Sequence, residues 1–288
     1  MIRSRGEKVF DVFNHIFLVI LAAIMILPFL HVLAKSLSDE AAVMAGYVGI
    51  VPIGLNLRTY KYVVNNHEFL RSLYISIMVT GIGTFLHVLI TSLVAYPLSR
   101  HYLVGRGPIT FLFVFTMLFS GGLIPTYLVV KNLRLVDTLG ALIFPGVFSV
   151  FNMIILRNFF AAIPDSLEEA AKIDGCSHIG IFFRIILPLS MPAIATVCVY
   201  TAVGYWNNYF SALIYINSRN LYPLAMYLRQ VVVDTSSQLV DLNPEISNLN
   251  PQSVRNATVI ASTVPILIVY PFLQRYFVTG IMLGAVKE

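Results

Sequence analysis

Four features of this 288-residue chain have residue types that could do chemistry. Ser120-Gly121-Gly122 has the makings of a serine nucleophile loop, but a nucleophile needs a base within reach. Leu118 stands where a G-x-S-G pattern wants glycine, and no histidine follows His178 to supply that base from a later helix. H-E-x-x-H and G-x-S-x-G are both absent. Small residues at 120–122 are therefore expected to let helices approach closely. Thr201-Ala202-Val203-Gly204-Tyr205 has most letters of a potassium-filter carbonyl ring, yet it carries an inserted alanine and Trp206 replaces the final glycine. His87 is the one ionisable candidate in mid-membrane, where ion-coupled transport would want a carboxylate, a histidine relay or a buried cation. The alternative for His87 is a buried, hydrogen-bonded side chain. Cys176 and Cys198 show neither C-x-x-C nor metal-ligand spacing and read as packing residues. The chain is read as no enzyme, with no metal and no cofactor of its own.

The elements that must carry these residues follow from composition. Hydrophobic residues make up 58% and charged residues 11%, with a mean hydropathy of +0.81. Soluble domains hold roughly 25% charged residues, so the composition excludes a disordered chain, a nucleic-acid reader and a disulfide scaffold. Six stretches of about the length a helix needs to cross a bilayer run over 13–34, 70–96, 109–130, 139–156, 189–216 and 256–278. No charge lies in the middle of any of them. The first follows Arg3, Arg5 and Lys8 and ends in Val32-Leu33-Ala34, the order of features in a signal peptide. Its apolar run is too long for one, so it is read as an uncleaved span. The same cations, set against the lone Lys35, favour a cytoplasmic N-terminus, and six spans then return the C-terminus to that side. The expectation is an all-α polytopic membrane protein, one domain over 1–288. Outer segments are expected at 35–69, 131–138 and 217–255, inner ones at 97–108, 157–188 and 279–288.

The inner segment 157–188 is the longest and has the most local structure in it. Pro164-Asp165-Ser166-Leu167-Glu168-Glu169 reads as a helix start, with Ser166 as cap and Glu169 three residues on completing a capping box. Acidic residues suit the positive end of a helix dipole, and Gly175 is a natural stop. A helix over about 167–174 is predicted. Alone in water it is too short to persist, so it must pack on its own bundle or insert into a partner.

Glu169-Ala170-Ala171, three residues to Gly175, nine more to Ile185 and then Leu187-Pro188 match E-A-A-x3-G-x9-I-x-L-P. In this the chain resembles the membrane permease subunits of ATP-binding-cassette importers, over nearly its whole length. It is most similar to the maltose-type, six-helix carbohydrate permeases. Pro52-x-Gly54 with Tyr60, Trp206-Asn207-x-Tyr209, Tyr222-Pro223-Leu224 and Gly284-x-Val286-Lys287 are similar too. Arg71-Ser72 departs, since many relatives place Asn before Ser. The long outer segment 217–255 resembles the branch that handles complex acidic oligosaccharides from plant or algal polysaccharides.

The resemblance implies a bacterial cytoplasmic-membrane protein whose 167–174 helix couples to a separate ATPase. Glu168, Glu169, Ala170, Ala171, Asp174 and Gly175 would form that joint, with Val286 and Lys287 of the tail touching the same partner. It implies a second related permease, two ATPases that bind ATP and Mg, an extracellular solute-binding protein and an oligosaccharide. No phosphate-binding G-x-x-x-x-G-K-[ST] loop occurs here, as expected of a subunit that leaves hydrolysis to a partner.

A sugar path needs hydroxyls, amides and aromatic faces. At 100° per residue, Thr201, Tyr205, Asn208, Ser211 and Tyr215 share an arc of the fifth span, with Trp206 and Asn207 beside it. Ser76, Thr80, Thr84, His87 and Thr91 share a face of the second. Either stripe could line a path or hold helices together. The competing function is a structural subunit of a membrane complex with no path of its own.

Overall fold

The computed structural model describes residues 5–233 and 250–285, and among them there is no strand. Three helices are each long and apolar enough to cross a membrane. They are α1 (Arg5–Leu37), α4 (His67–Ser99) and the last helix, α15 (Pro251–Ala285), and the expected stretches 13–34, 70–96 and 256–278 fall on them. Short α2 (Glu40–Met44) and α3 (Arg58–Asn65) lie between the first two.

The other three stretches are bent, where uninterrupted spans were expected. α5 (Arg106–Leu118) and α6 (Leu123–Asn132) meet at 111°. Ser120-Gly121-Gly122 is the corner between them, and Gly122 has φ +86° and ψ 179°, a conformation open essentially to glycine alone. These small residues thus make a turn rather than a close helix approach. α7 (Leu139–Ile143) runs through a 3₁₀ turn at Phe144-Pro145-Gly146 and meets α8 (Val150–Ala161) at a 50° bend. The segment 178–189 meets α12 (Met191–Trp206) at 80°. Counting each bent pair as one span gives up to six crossings.

Between α8 and α12 lie α9 (Asp165–Ile173), α10 (His178–Ile181), a π-helical turn at Phe182–Ile186 and α11 (Leu187–Leu189). The π turn runs directly into Pro188, which has no N–H to donate and crowds the preceding turn. α13 (Tyr209–Tyr215) and α14 (Leu224–Val233) complete the list.

The chain divides into two compact units: the chain up to Leu70 with Leu228–Pro265, and Arg71–Tyr227 with the chain from Ile266. In the first, the segment after α1 is stitched back by Asp39 N–H donating to Ile53 O at 2.9 Å and Asn56 N–H to Leu37 O at 2.9 Å. Ser36 Oγ lies 2.7 Å from the Tyr60 hydroxyl. The apolar side chains of α1 are exposed along the helix, so lipid or another subunit must cover them. The second unit holds the main core. There Ala95, Leu98, Met153, Leu156, Phe160, Ala171, Phe182, Ile186 and Val197 bring α4, α8, α9, the π turn and α12 into one apolar cluster.

Candidate functional site

α9 begins two residues earlier than predicted. Its cap is Pro164, in extended conformation and without a side-chain cap bond, so Ser166 is inside the first turn and the expected capping box does not form. Asp165 and Glu168 supply the negative charge that the helix start favours. The other end is as predicted. Gly175 has φ +79°, its N–H donates to Lys172 O at 3.0 Å, and Cys176 N–H donates to Ala171 O at 2.9 Å. Those two bonds are a Schellman ending, in which an L side chain would be strained.

α9 has two faces. Ala171 and Glu168 are buried, the former in the apolar cluster. Glu169, Ala170, Asp174 and Gly175 are exposed, and Ile173 is 86% exposed. Of the six coupling residues expected from the motif, four therefore face outward and two face this chain.

Glu168 is 2% exposed, and a buried carboxylate must be paired. The Tyr96 hydroxyl donates to its Oε1 at 2.7 Å, and Arg100 Nε lies 2.8 Å from the same oxygen. Lys172 Nζ is 3.7 Å from Oε2 and 4.8 Å above the Tyr102 ring. Arg100, itself 1% exposed, also reaches Asp165 Oδ1 with Nη1 at 3.2 Å and lies 5.3 Å over the Tyr96 ring. Arg157 Nε donates to Leu98 O at 2.9 Å, satisfying one of the carbonyls that the end of α4 leaves free. Sequence reasoning missed Arg100, Tyr96 and Arg157, and read Asp165 only as part of the helix start. The available signal was an arginine directly after an apolar span with a tyrosine one turn before it.

The expected path residues separate into two groups. The arc drawn for the fifth span assumed one helix, but the helix breaks at Asn207-Asn208. Asn208 instead caps α13, its Oδ1 accepting from Ser211 N–H at 3.1 Å and its Nδ2 donating to Ser211 Oγ at 2.8 Å. Trp206 and Ser211 are half-buried and Asn207 is exposed. Tyr215 is buried and stacks on Tyr127 at 6.1 Å.

Tyr205, 8% exposed, is wedged: a Cβ added to Gly83 would come within 2.8 Å of its ring, and one on Gly146 within 3.1 Å of its hydroxyl. That hydroxyl donates to Ile143 O at 2.9 Å. His87 serves the same break from α4, its Nδ1 lying 2.8 Å from Gly146 O. A carbonyl only accepts, so Nδ1 carries the proton and Nε2 accepts from Asn152 Nδ2 at 2.9 Å. Asn152 also reaches Thr201 Oγ1 at 3.4 Å. His87, Tyr205 and Thr201 thus satisfy buried polar groups around a broken span, where lipid could offer no partner. From the α4 stripe, Ser76 Oγ accepts from Leu224 N–H at 2.7 Å. Thr80 and Thr84 border an apolar groove of about 540 Å³. Val286 and Lys287 lie outside the described residues.

A model of the family of binding-protein-dependent transport system inner membrane components matches residues 4–283. The chain belongs to that family. It is a permease: an inner-membrane, multi-pass component of an importer, not a catalyst. It is 46% identical to the polygalacturonan/rhamnogalacturonan transport system permease YtcP of Bacillus subtilis, over 98% of this chain and 99% of that one. It is 47% identical to protein LplC of the same organism, over 100% and 98%. Its structure is similar to a chain of a bacterial ATP-binding-cassette transporter that imports the acidic polysaccharide alginate. The TM-score is 0.87 with 30% identity, covering 96% of this permease and 99% of that chain. The bends are thus features of an importer permease, in which broken helices are tolerated where protein or a cavity takes up the freed backbone groups.

Proposed function

We propose that this permease forms half of the path by which an acidic oligosaccharide, cut from a plant or algal polysaccharide, enters the cell. A solute-binding protein delivers the sugar outside, a second related permease forms the other half, and two ATPase subunits bind ATP and Mg. The observation that carries the reading is the two-faced α9: its inner face is anchored on this chain, while Glu169, Ala170 and Ile173 are left outward for a partner. The names of the relatives support the sugar class. Both termini would be cytoplasmic, with 1–288 working as one permease domain and Val286 and Lys287 touching the ATPase. Trp206, Asn207, Asn208 and Ser211 would meet the sugar first, and Tyr205, Tyr215 and His87 when the bundle rearranges.

The test is uptake into proteoliposomes holding this permease with the products of its neighbouring genes. Short oligogalacturonides or alginate oligomers should enter with ATP and stimulate its hydrolysis. Stimulation by a neutral maltooligosaccharide alone would overturn the sugar class, and a complex without ATPases would favour the structural-subunit alternative. A Lys172→Cys variant should resist an impermeant thiol reagent added to intact cells. Ready labelling from outside would reverse the orientation.

A further inference from the structure

One guanidinium grips α9 at two places. Arg100 stands directly after α4, with Nε 2.8 Å from Glu168 and Nη1 3.2 Å from Asp165, two carboxylates three residues apart on the first turn of α9. A single contact would let α9 pivot about it. Two contacts spaced along the helix fix its rotation as well as its position. The Tyr96 hydroxyl, from the last turn of α4, adds a third hold on Glu168 at 2.7 Å. All of this is buried except the Asp165 side chain. Arg100 Nη2 is buried with no hydrogen-bond partner among the described residues, and Nε, though 2.8 Å from Glu168, meets it as an ion pair and not as a directed hydrogen bond.

α4 continues from that joint into the bundle. The stretch from Tyr96 back to His87 spans about 14 Å at 1.5 Å per residue. One end holds Tyr96 and meets Arg100; further along, His87 holds the carbonyl of Gly146 at the break between α7 and α8.

We propose that Arg100 is a positioning residue that makes α9 and α4 one lever, carrying ATPase movement to the clip between His87 and the broken span. This rests on the reading of α9 as the ATPase joint. Burying a charge pair does not by itself stabilise a protein, since apolar replacements are often neutral; the role inferred is transmission. A lever of this kind predicts that removing both charges leaves a folded permease whose bundle no longer answers the ATPases.

The test uses the full importer with Cys176 and Cys198 replaced by alanine and Asn207→Cys as reporter at the break after α12. The reaction of Cys at 207 with a maleimide is timed before and after ATP with vanadate. Coupling residues distant from both ends of a linkage typically change it several-fold, so trapping should alter the labelling rate at least about fivefold with Arg100 present. In Arg100→Met/Glu168→Met the response should vanish while ATPases still co-purify, and Arg100→Lys should keep most of it. A double variant that responds like the parent overturns the lever alone. Loss of the ATPases from the double variant also overturns it, because the pair would then only shape the docking helix. A parent that does not respond to trapping overturns both the lever and the coupling reading.

Discussion

Glu168 and Glu169 are neighbours in the chain and opposites in the structure. The first lies against Arg100 and Tyr96, 2% exposed, and the second stands outward. A helix turns 100° per residue, so one face of α9 can hold this chain while the next presents charge to a partner.

Substitutions at the two positions should therefore fail differently. Glu169→Lys removes nothing from the fold, so the purified permease should melt as the parent does. Its affinity for the ATPase should fall at least about tenfold, or about 1.4 kcal/mol. Titrating ATPase onto permease in nanodiscs reads that loss. Glu168→Leu instead strips the pairing from a buried Arg100, a change of the kind that costs about 3–5 kcal/mol, and should lower the melting temperature first.

The end of α9 offers a cleaner separation of strain from crowding. A Cβ on Gly175 would meet nothing within 4 Å, yet its φ of +79° is unfavourable for an L residue. Gly175→Val should thus incur only the backbone cost, about 1–2 kcal/mol or more for a β-branched side chain. Asn visits this conformation more readily. Sugar-stimulated ATP hydrolysis should be mostly lost in Gly175→Val and mostly kept in Gly175→Asn. Equal loss in both would show that some contact of the glycine itself, and not its φ, matters.

What the sequence made legible here was periodic or local. Apolar length placed α1, α4 and α15, and the left-handed ending at Gly175 could be read from one residue after an α-helical run. The start of α9 could not. It begins at Asp165, which pairs with an arginine 65 positions earlier, and Ser166, a fair cap by local rules, falls inside the first turn. The bends escaped for a related reason: hydropathy averages over a break, and the groups that make a break tolerable are remote. Gly146 and Ile143 could give up helical pairing only because His87 and Tyr205 arrive from other helices. The polar stripe on the fifth span was real as composition, but its shared face vanished once the helix stopped at Trp206.

Outside the spans, Asp137 ties the turn before α7 to the segment after α13. Its Oδ1 accepts from the N–H groups of Asn217 at 3.0 Å and Ser218 at 2.8 Å, and the Ser218 hydroxyl donates to Oδ2 at 2.5 Å. The Ser218 side-chain bond, then its backbone N–H, holds this carboxyl below its ordinary value. A lowered folded pKa means that the stabilisation is complete above the unfolded value, about 3.9, and is lost as pH falls through the folded one. The melting-temperature gap between the parent and Asp137→Asn should stay constant from pH 7 to about 5 and narrow below about 4. A gap that does not change in acid would remove the ionised carboxylate from this clip.

The path is the part of the function that substitution can divide most sharply, because its expected residues now fall into two kinds. Tyr205 is closed in by Gly83 and Gly146 and bonded to Ile143 O. Tyr205→Phe keeps the ring and strands that carbonyl, a loss of about 1–3 kcal/mol if no water replaces the hydroxyl. It should lower the melting temperature, and uptake per folded complex should fall equally for any two sugars. Asn207 is exposed at the break, its Nδ2 donating to Val203 O at 2.9 Å, and Trp206 beside it offers an aromatic face. A translocating sugar must not bind tightly at any one point, so each contact should be weak, about 0.5–1.5 kcal/mol for one hydrogen bond. Asn207→Ala and Trp206→Ala should therefore change uptake two- to tenfold at nearly constant stability, and by different factors for a dimer and a tetramer of galacturonate. If the two sugars respond alike at all three positions, in step with melting temperature, the break after α12 holds helices together and the path lies elsewhere in the bundle.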